Sequence, residues 1–180
     1  ISAFEDLGMA NFSEVYTQLE QSTLFDDYET GRISSPRFVN KLLDHVPQGI
    51  TPNRIVSAWN AMILDVPQEK PPLLKSLNEE MPIFLLSNTN EIHMQKVYRA
   101  WENASAGALE DYFSKVYLSF EMGMRKPDPL IFQKVCDEQG LNPSKTLFID
   151  DSPQHIEGAK EIGLQTHHLT ESEAFYRLFS

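Results

Sequence analysis

Residues 147–159 read LFIDDSPQHIEGA, and their reading decides the fold. Leu147, Phe148 and Ile149 form a short apolar run of the kind expected for a strand buried on both faces. Asp150 and Asp151 end that run. Ser152-Pro153 then opens a helix, because proline at the first helical position gives up no intrahelical hydrogen bond. A strand that stops in polar residues and passes into a helix is one half of a parallel strand–helix–strand unit.

Working outward, the same pattern recurs. Strands are expected at Ile83–Leu86, Val116–Leu118, Thr146–Ile149 and Thr166–Leu169. Helices are expected at Leu73–Asn78, Ile92–Trp101 and Leu109–Phe113, and from Asp128-Pro129 and Ser152-Pro153 onward. Short apolar strands separated by helices imply parallel pairing with crossovers, hence an α/β sheet covered on both faces. Residues 1 to about 66 are different. They contain no convincing strand, and their apolar residues recur at helical spacing: Val15 and Leu19; Phe38, Leu42, Leu43 and Val46; Ile55, Val56, Trp59 and Ile63. Ser35-Pro36 and Thr51-Pro52 read as helix starts with a capping hydroxyl before a proline. Between the two parts, VPQEKPP at Val66–Pro72 reads as a linker rather than a helix interior.

Composition excludes several classes of partner. The 180 residues carry 26 acidic against 15 basic side chains, a formal charge of −11, which argues against nucleic acid or an anionic membrane. Any phosphate must be held by a local field. The single cysteine, Cys136, lies in the apolar helical pattern of Ile131, Phe132 and Val135, so it reads as core, and a reducing cytoplasm is the expected compartment. No apolar run approaches the roughly 18 residues of a membrane span, and no basic-then-apolar leader is visible.

Three fragments carry chemistry, and all three leave the C-terminal ends of expected strands, where ligands bind in open α/β sheets. In LLSNTN (85–90), Ser87 and Asn88 offer a hydroxyl, an amide and turn N–H groups to an anion; the stretch also fits a polar turn that caps the next helix. In GMRKPDP (123–129), Gly123 permits an unusual turn and Pro127 restricts Lys126 to extended geometry, so a fixed ammonium is available to phosphoryl oxygens; a surface lysine fits too. Arg125 reads as solvent-facing. Asp150 and Asp151 would repel one another without a cation, and Mg²⁺ suits a site of few carboxylates, several waters and a phosphate. One Asp could instead cap the following helix, or Ser152 could do so.

These fragments, in this order and with EGAKEIG after the acidic pair, resemble the haloacid dehalogenase-like (HAD) hydrolases over essentially the whole chain. The branch they resemble most includes small sugar-phosphate phosphatases and the N-terminal phosphatase domain of soluble epoxide hydrolase. The resemblance implies a Rossmann-like parallel core with helices on both faces at residues 69–180 and a small helical cap at 1–68. It implies that Ser87 and Asn88 bind the phosphoryl group, that Lys126 is both catalytic and phosphate-binding, and that Asp151 is a direct Mg²⁺ ligand. Asp150 would complete the metal site by orienting metal-bound water or Lys126. In that family an Asp nucleophile, followed two residues later by an Asp acid and base, forms an aspartyl-phosphate. Neither residue is present here; in that family the cap follows the motif directly, so the resemblance implies that ISAFEDLG begins the cap and that roughly 20 residues carrying the motif precede it. His155 stands where many relatives carry Asp or Asn, which touches a supporting contact of the metal site.

The implied function is a Mg²⁺-dependent phosphatase of a small phosphorylated metabolite, such as a sugar phosphate, acting as monomer or homodimer. Two other readings stay open on sequence: a metal-free 2-haloacid dehalogenase, which the acidic pair argues against, and a HAD-fold protein without a nucleophile that only binds a phosphometabolite. Among the remaining histidines, His93 is expected to face solvent, and His167 and His168 alternate to opposite faces of a strand.

Overall fold

A computed structural model describes residues 2–8, 17, 23–105, 107–171 and 174–179. The chain forms two compact units, Ile1–Gly123 and Met124–Ser180.

The first unit begins with helices α1 (Ser2–Glu5), α2 (Leu24–Glu29), α3 (Ser35–Leu43) and α4 (Pro52–Asn60). The apolar spacing expected of this part is realised: α3 buries Phe38, Val39 and Leu42, and α4 buries Ile55, Ala58 and Trp59. Val15 and Leu19 lie outside the described residues. Aromatic rings organise the core. Phe38 stacks on Tyr28 with centroids 4.1 Å apart and meets Trp59 edge-on at 4.9 Å, and Phe25 stacks on Trp59 at 5.5 Å. The expected cap hydroxyls are not used as caps. Ser34, not Ser35, is the N-cap of α3, and neither Ser34 nor Thr51 makes a side-chain cap hydrogen bond. Ser35 bonds instead to Tyr28 at 2.8 Å and to the Glu91 carboxylate, a tertiary use that outcompetes the local one.

Helix α5 (Lys70–Glu80) begins inside the expected linker, with Pro71 and Pro72 in the first turn. The first-turn N–H groups have no intrahelical acceptor, so two prolines cost little there. Then come β1 (Phe84–Ser87), α6 (Glu91–Ala104), a 3₁₀ turn at Leu109–Tyr112, β2 (Lys115–Leu118) and α7 (Ser119–Met122). Strands β1 and β2 pair in parallel with Ser87 opposite Leu118. The packing boundary falls beyond the linker because Ile92 of α6 belongs to the same buried cluster as Phe38 and Trp59.

The second unit holds α8 (Pro129–Gln139), β3 (Leu147–Asp150), α9 (Pro153–Glu161), β4 (Gln165–His168) and α10 (Ala174–Arg177). Strands β3 and β4 run parallel with Asp150 opposite His168. Ile131, Phe132, Val135 and Cys136 are buried on α8, and burial pushes the Cys136 thiol up, as fits a core cysteine. All four expected strands are present within about one residue, but β1 and β3 are half-buried rather than fully enclosed. Among the described residues each strand hydrogen-bonds to one neighbour only, so every pair keeps an open edge.

Candidate active site

In the second unit the turn at Lys126 and the end of β3 meet. Lys126 is 6% exposed, and its Nζ donates to Asp150 Oδ2 at 2.6 Å. The same ammonium sits 5.5 Å from the centroid of Phe148, over its ring, and Phe148 is braced edge-on by Phe132 at 5.0 Å. Lys126 is therefore neither a surface lysine nor a mobile one. Two features of sequence place it there. Gly123 ends α7 in the left-handed conformation (φ 68°) that only glycine adopts freely. Gly158 of α9 lets Pro127 approach: a Cβ on Gly158 would lie 2.1 Å from the Pro127 carbonyl oxygen. The Lys126–Pro127 peptide is cis.

Asp150 is fully engaged. Its Oδ1 accepts from Ser152 N at 2.9 Å and from His155 Nδ1 at 2.8 Å, while Oδ2 takes the lysine. Burial alone would raise the carboxyl, but the hydrogen bond and charge of Lys126, helped by Ser152 and His155, outweigh it and hold the group below the usual carboxylate range. An ionised Asp150 fixes the histidine tautomer, since Nδ1 must carry the proton to donate. Ser152 contributes its N–H to Asp150 and makes no side-chain cap, which corrects the expectation of a capping hydroxyl.

Asp151 is the complement of Asp150. It is exposed, and its carboxylate makes no hydrogen bond or ion pair among the described residues, while its carbonyl accepts from His168 Nε2 at 3.0 Å. Among the described residues no group of three or more His, Cys, Asp or Glu is arranged to hold a metal. The exposed Asp151 carboxylate is of the kind that suits Mg²⁺, which takes one or two carboxylates and completes its shell with water and phosphate. Arg125 is half-buried rather than solvent-facing.

Ser87 and Asn88 belong to the first unit, at the end of β1. The Ser87 hydroxyl makes no hydrogen bond among the described residues, and Asn90 rather than either of them caps α6, its side chain accepting from His93 N. The next residues are tied inward. Thr89 N–H donates to Ser119 Oγ at 2.9 Å, and Ser119 Oγ donates to the Thr89 carbonyl at 3.0 Å. His93 is 8% exposed, stacks on Trp59 at 5.1 Å and hydrogen-bonds the Trp59 carbonyl through Nε2 at 3.2 Å. It is a core histidine, not a solvent-facing one, because both ring nitrogens find buried partners. Sequence reasoning missed Ser119 and Gly158. A serine directly after the apolar end of a strand, as at Ser87, was the available signal for the first.

Residues 7–163 match the family described as haloacid dehalogenase-like hydrolase. The chain is 31% identical to D-ribitol-5-phosphate phosphatase of Bacteroides thetaiotaomicron over 92% of its own length and 81% of that protein's. It superposes on a crystal structure of the HAD family enzyme bt-2542 of the same organism with a TM-score of 0.92 at 34% identity, covering 100% of this chain and 89% of that one. The wild-type form of that enzyme, in complex with magnesium and inorganic phosphate, gives a TM-score of 0.88 at 33% identity, covering 99% and 90%.

Proposed function

Because this chain belongs to the haloacid dehalogenase-like hydrolases, we propose that it is a Mg²⁺-dependent phosphatase of a phosphorylated polyol or sugar, working through an aspartyl-phosphate intermediate. The observation that carries the reading is the division of labour at the end of β3, where Asp150 is consumed by Lys126, Ser152 and His155 while the Asp151 carboxylate beside it is left exposed. The likeness to a D-ribitol-5-phosphate phosphatase, which spans 92% of this chain and 81% of that protein, supports the substrate class, with a phosphorylated pentitol the first compound to try.

In this reading Ser87 and Asn88 hold phosphoryl oxygens by hydroxyl, amide and backbone N–H. Lys126 places a fixed positive charge against the phosphoryl group and the attacking carboxylate, and Asp150 keeps that ammonium from swinging away. Catalysis of this kind asks for positioning and charge more than for proton transfer. Asp151 and, at one remove, Asp150 would hold Mg²⁺, which when bound neutralises phosphoryl charge. Residues 1–68 act as the cap that selects the substrate and 69–180 as the catalytic core, the protein acting as monomer or homodimer in the cytoplasm. Among the described residues no helix is long and apolar enough to cross a membrane.

The test is phosphate release by the full-length protein from D-ribitol 5-phosphate and a panel of pentose and hexose phosphates, with Mg²⁺ and with EDTA. Turnover that needs Mg²⁺ and prefers this panel supports the proposal. Halide release from 2-haloacids without metal would overturn it in favour of a dehalogenase.

A further inference from the structure

We propose that Ser119 is a positioning residue that pre-forms the Ser87–Asn90 loop for an anion. The inference rests on the assignment of Ser87 and Asn88 to phosphate and adds to it the group that shapes their loop.

The loop leaves β1 and turns inward: Thr89 is 6% exposed and Asn90 fully buried. Buried main-chain groups need partners, and a loop has no ladder to supply them. One hydroxyl supplies both for Thr89. Ser119 Oγ accepts the Thr89 N–H at 2.9 Å and donates to the Thr89 carbonyl at 3.0 Å, using its one hydrogen and one lone pair. Ser119 is itself fully buried and follows directly on β2, whose Leu118 lies opposite Ser87, so the clamp joins the ends of two paired strands. Gly31 closes in on the next residue. A Cβ there would lie 2.3 Å from the Phe120 carbonyl oxygen, so the chain around Ser119 has no room to retreat.

The far side of the loop is anchored separately. Asn90 Oδ1 accepts from His93 N at 3.0 Å and its Nδ2 meets His93 Nδ1 at 3.1 Å, which leaves Nε2–H to donate to the Trp59 carbonyl. Thr89 and Asn90 are thus committed to holding the loop, and the Ser87 hydroxyl, unmet within the described residues, is presented by a backbone already fixed. A donor held in place before its ligand arrives loses little entropy on binding.

The test compares Ser119→Ala and Ser119→Cys with the unaltered full-length protein, using orthophosphate with Mg²⁺ as the probe and hydrogen exchange of the Thr89 amide as a second readout. We expect Ser119→Ala to lower orthophosphate affinity about tenfold and to strip the Thr89 amide of its protection, with Ser119→Cys in between. Leu42→Ala, a core variant of the same unit, should lose stability yet keep orthophosphate affinity within about twofold, since its buried cluster contains none of residues 87–90. Unchanged affinity in Ser119→Ala, or an equal loss in Leu42→Ala, would overturn the proposal. Should Ser119→Ala fail to fold, the unaltered protein decides: equal protection of Thr89 with and without orthophosphate supports a pre-formed loop, and protection gained only on adding it refutes one. If the unaltered protein binds no orthophosphate, the assignment of Ser87 and Asn88 fails, while the Thr89 amide still reports whether Ser119 clamps the loop.

Discussion

Replacing Lys126 by Met removes the ammonium while keeping most of the side-chain volume, and it tests whether the Lys126–Asp150 pair is a coupled, buried unit. The two side chains are 8% and 9% exposed, so neither charge is solvated enough to stand alone. Deleting one member of such a pair typically costs about 3–5 kcal/mol, chiefly because the survivor is a buried, uncompensated charge. Asp150 would keep Ser152 N–H and His155, which puts Lys126→Met near the lower end, about 3 kcal/mol. Asp150→Asn strands the ammonium instead and sets an amide NH₂ against one of three donors, for a similar loss of about 3 kcal/mol. In the double variant no buried charge remains. The expected coupling energy is at least about 2 kcal/mol, so the double variant should be little less stable than either single one.

The choice of probe follows from the sequence. Both tryptophans, Trp59 and Trp101, lie in the first unit, so fluorescence reports the unit that lacks the pair; far-UV circular dichroism during urea unfolding reports both. The pH dependence has a definite sign. Asp150 is depressed below its ordinary value of 3.8, so its contribution is complete above that value and is lost as pH falls through the lower native one. The gap between wild type and Asp150→Asn should therefore be constant from neutral pH down to about 5 and narrow below about 4. Additive losses near 6 kcal/mol in the double variant, or a Lys126→Met loss below about 0.5 kcal/mol, would refute the argument.

Other outcomes can be checked alongside. Asp151→Asn should leave stability within about 0.5 kcal/mol, because the carboxylate is exposed, yet cut Mg²⁺ affinity and lower turnover by on the order of a hundredfold; calorimetric titration with Mg²⁺ reading the same as wild type would remove Asp151 from the site. Gly158→Ala should destabilise by roughly 1–3 kcal/mol despite the better helix propensity of alanine, since the new methyl meets the Pro127 carbonyl; a gain in melting temperature would show that the turn yields. Phe38→Ala removes a fully buried ring stacked on Tyr28 and should cost about 3–5 kcal/mol by urea unfolding, a loss under about 1 kcal/mol contradicting the packing. For His93, burial lowers the pKa and outweighs the opposing effect of the Trp59 carbonyl, so its stabilisation is complete above 6.5 and falls as pH drops below it. Between pH 7.5 and 5.5 the wild type should lose more stability than His93→Phe, and parallel profiles would exclude a buried neutral imidazole.

What was legible in the sequence, and what was not, divides along a physical line. Strands, helices and the three motif positions are carried by local periodicity and by prolines and glycines that constrain their own backbone, so β3, α9 and the Asp150-Asp151 junction lie within a residue or so of their expected places. The partners of polar side chains are tertiary facts with no local signature. Ser35 looked like a cap and is a bridge from Tyr28 to Glu91; His93 looked exposed and is stacked on Trp59; Ser119 drew no notice, yet its partner Thr89 is 30 positions away. The same limit bears on Lys126. On sequence it fits either a fixed ammonium or a surface lysine in a Pro-rich turn, whereas its burial against Asp150 and Phe148 makes it a structural residue as well. A weak variant at this position cannot by itself separate lost chemistry from lost folding. The double variant helps to separate them: adding Asp150→Asn to Lys126→Met should cost little further stability and leave turnover lost, and turnover restored in the double variant would mean that the ammonium acts only through the fold.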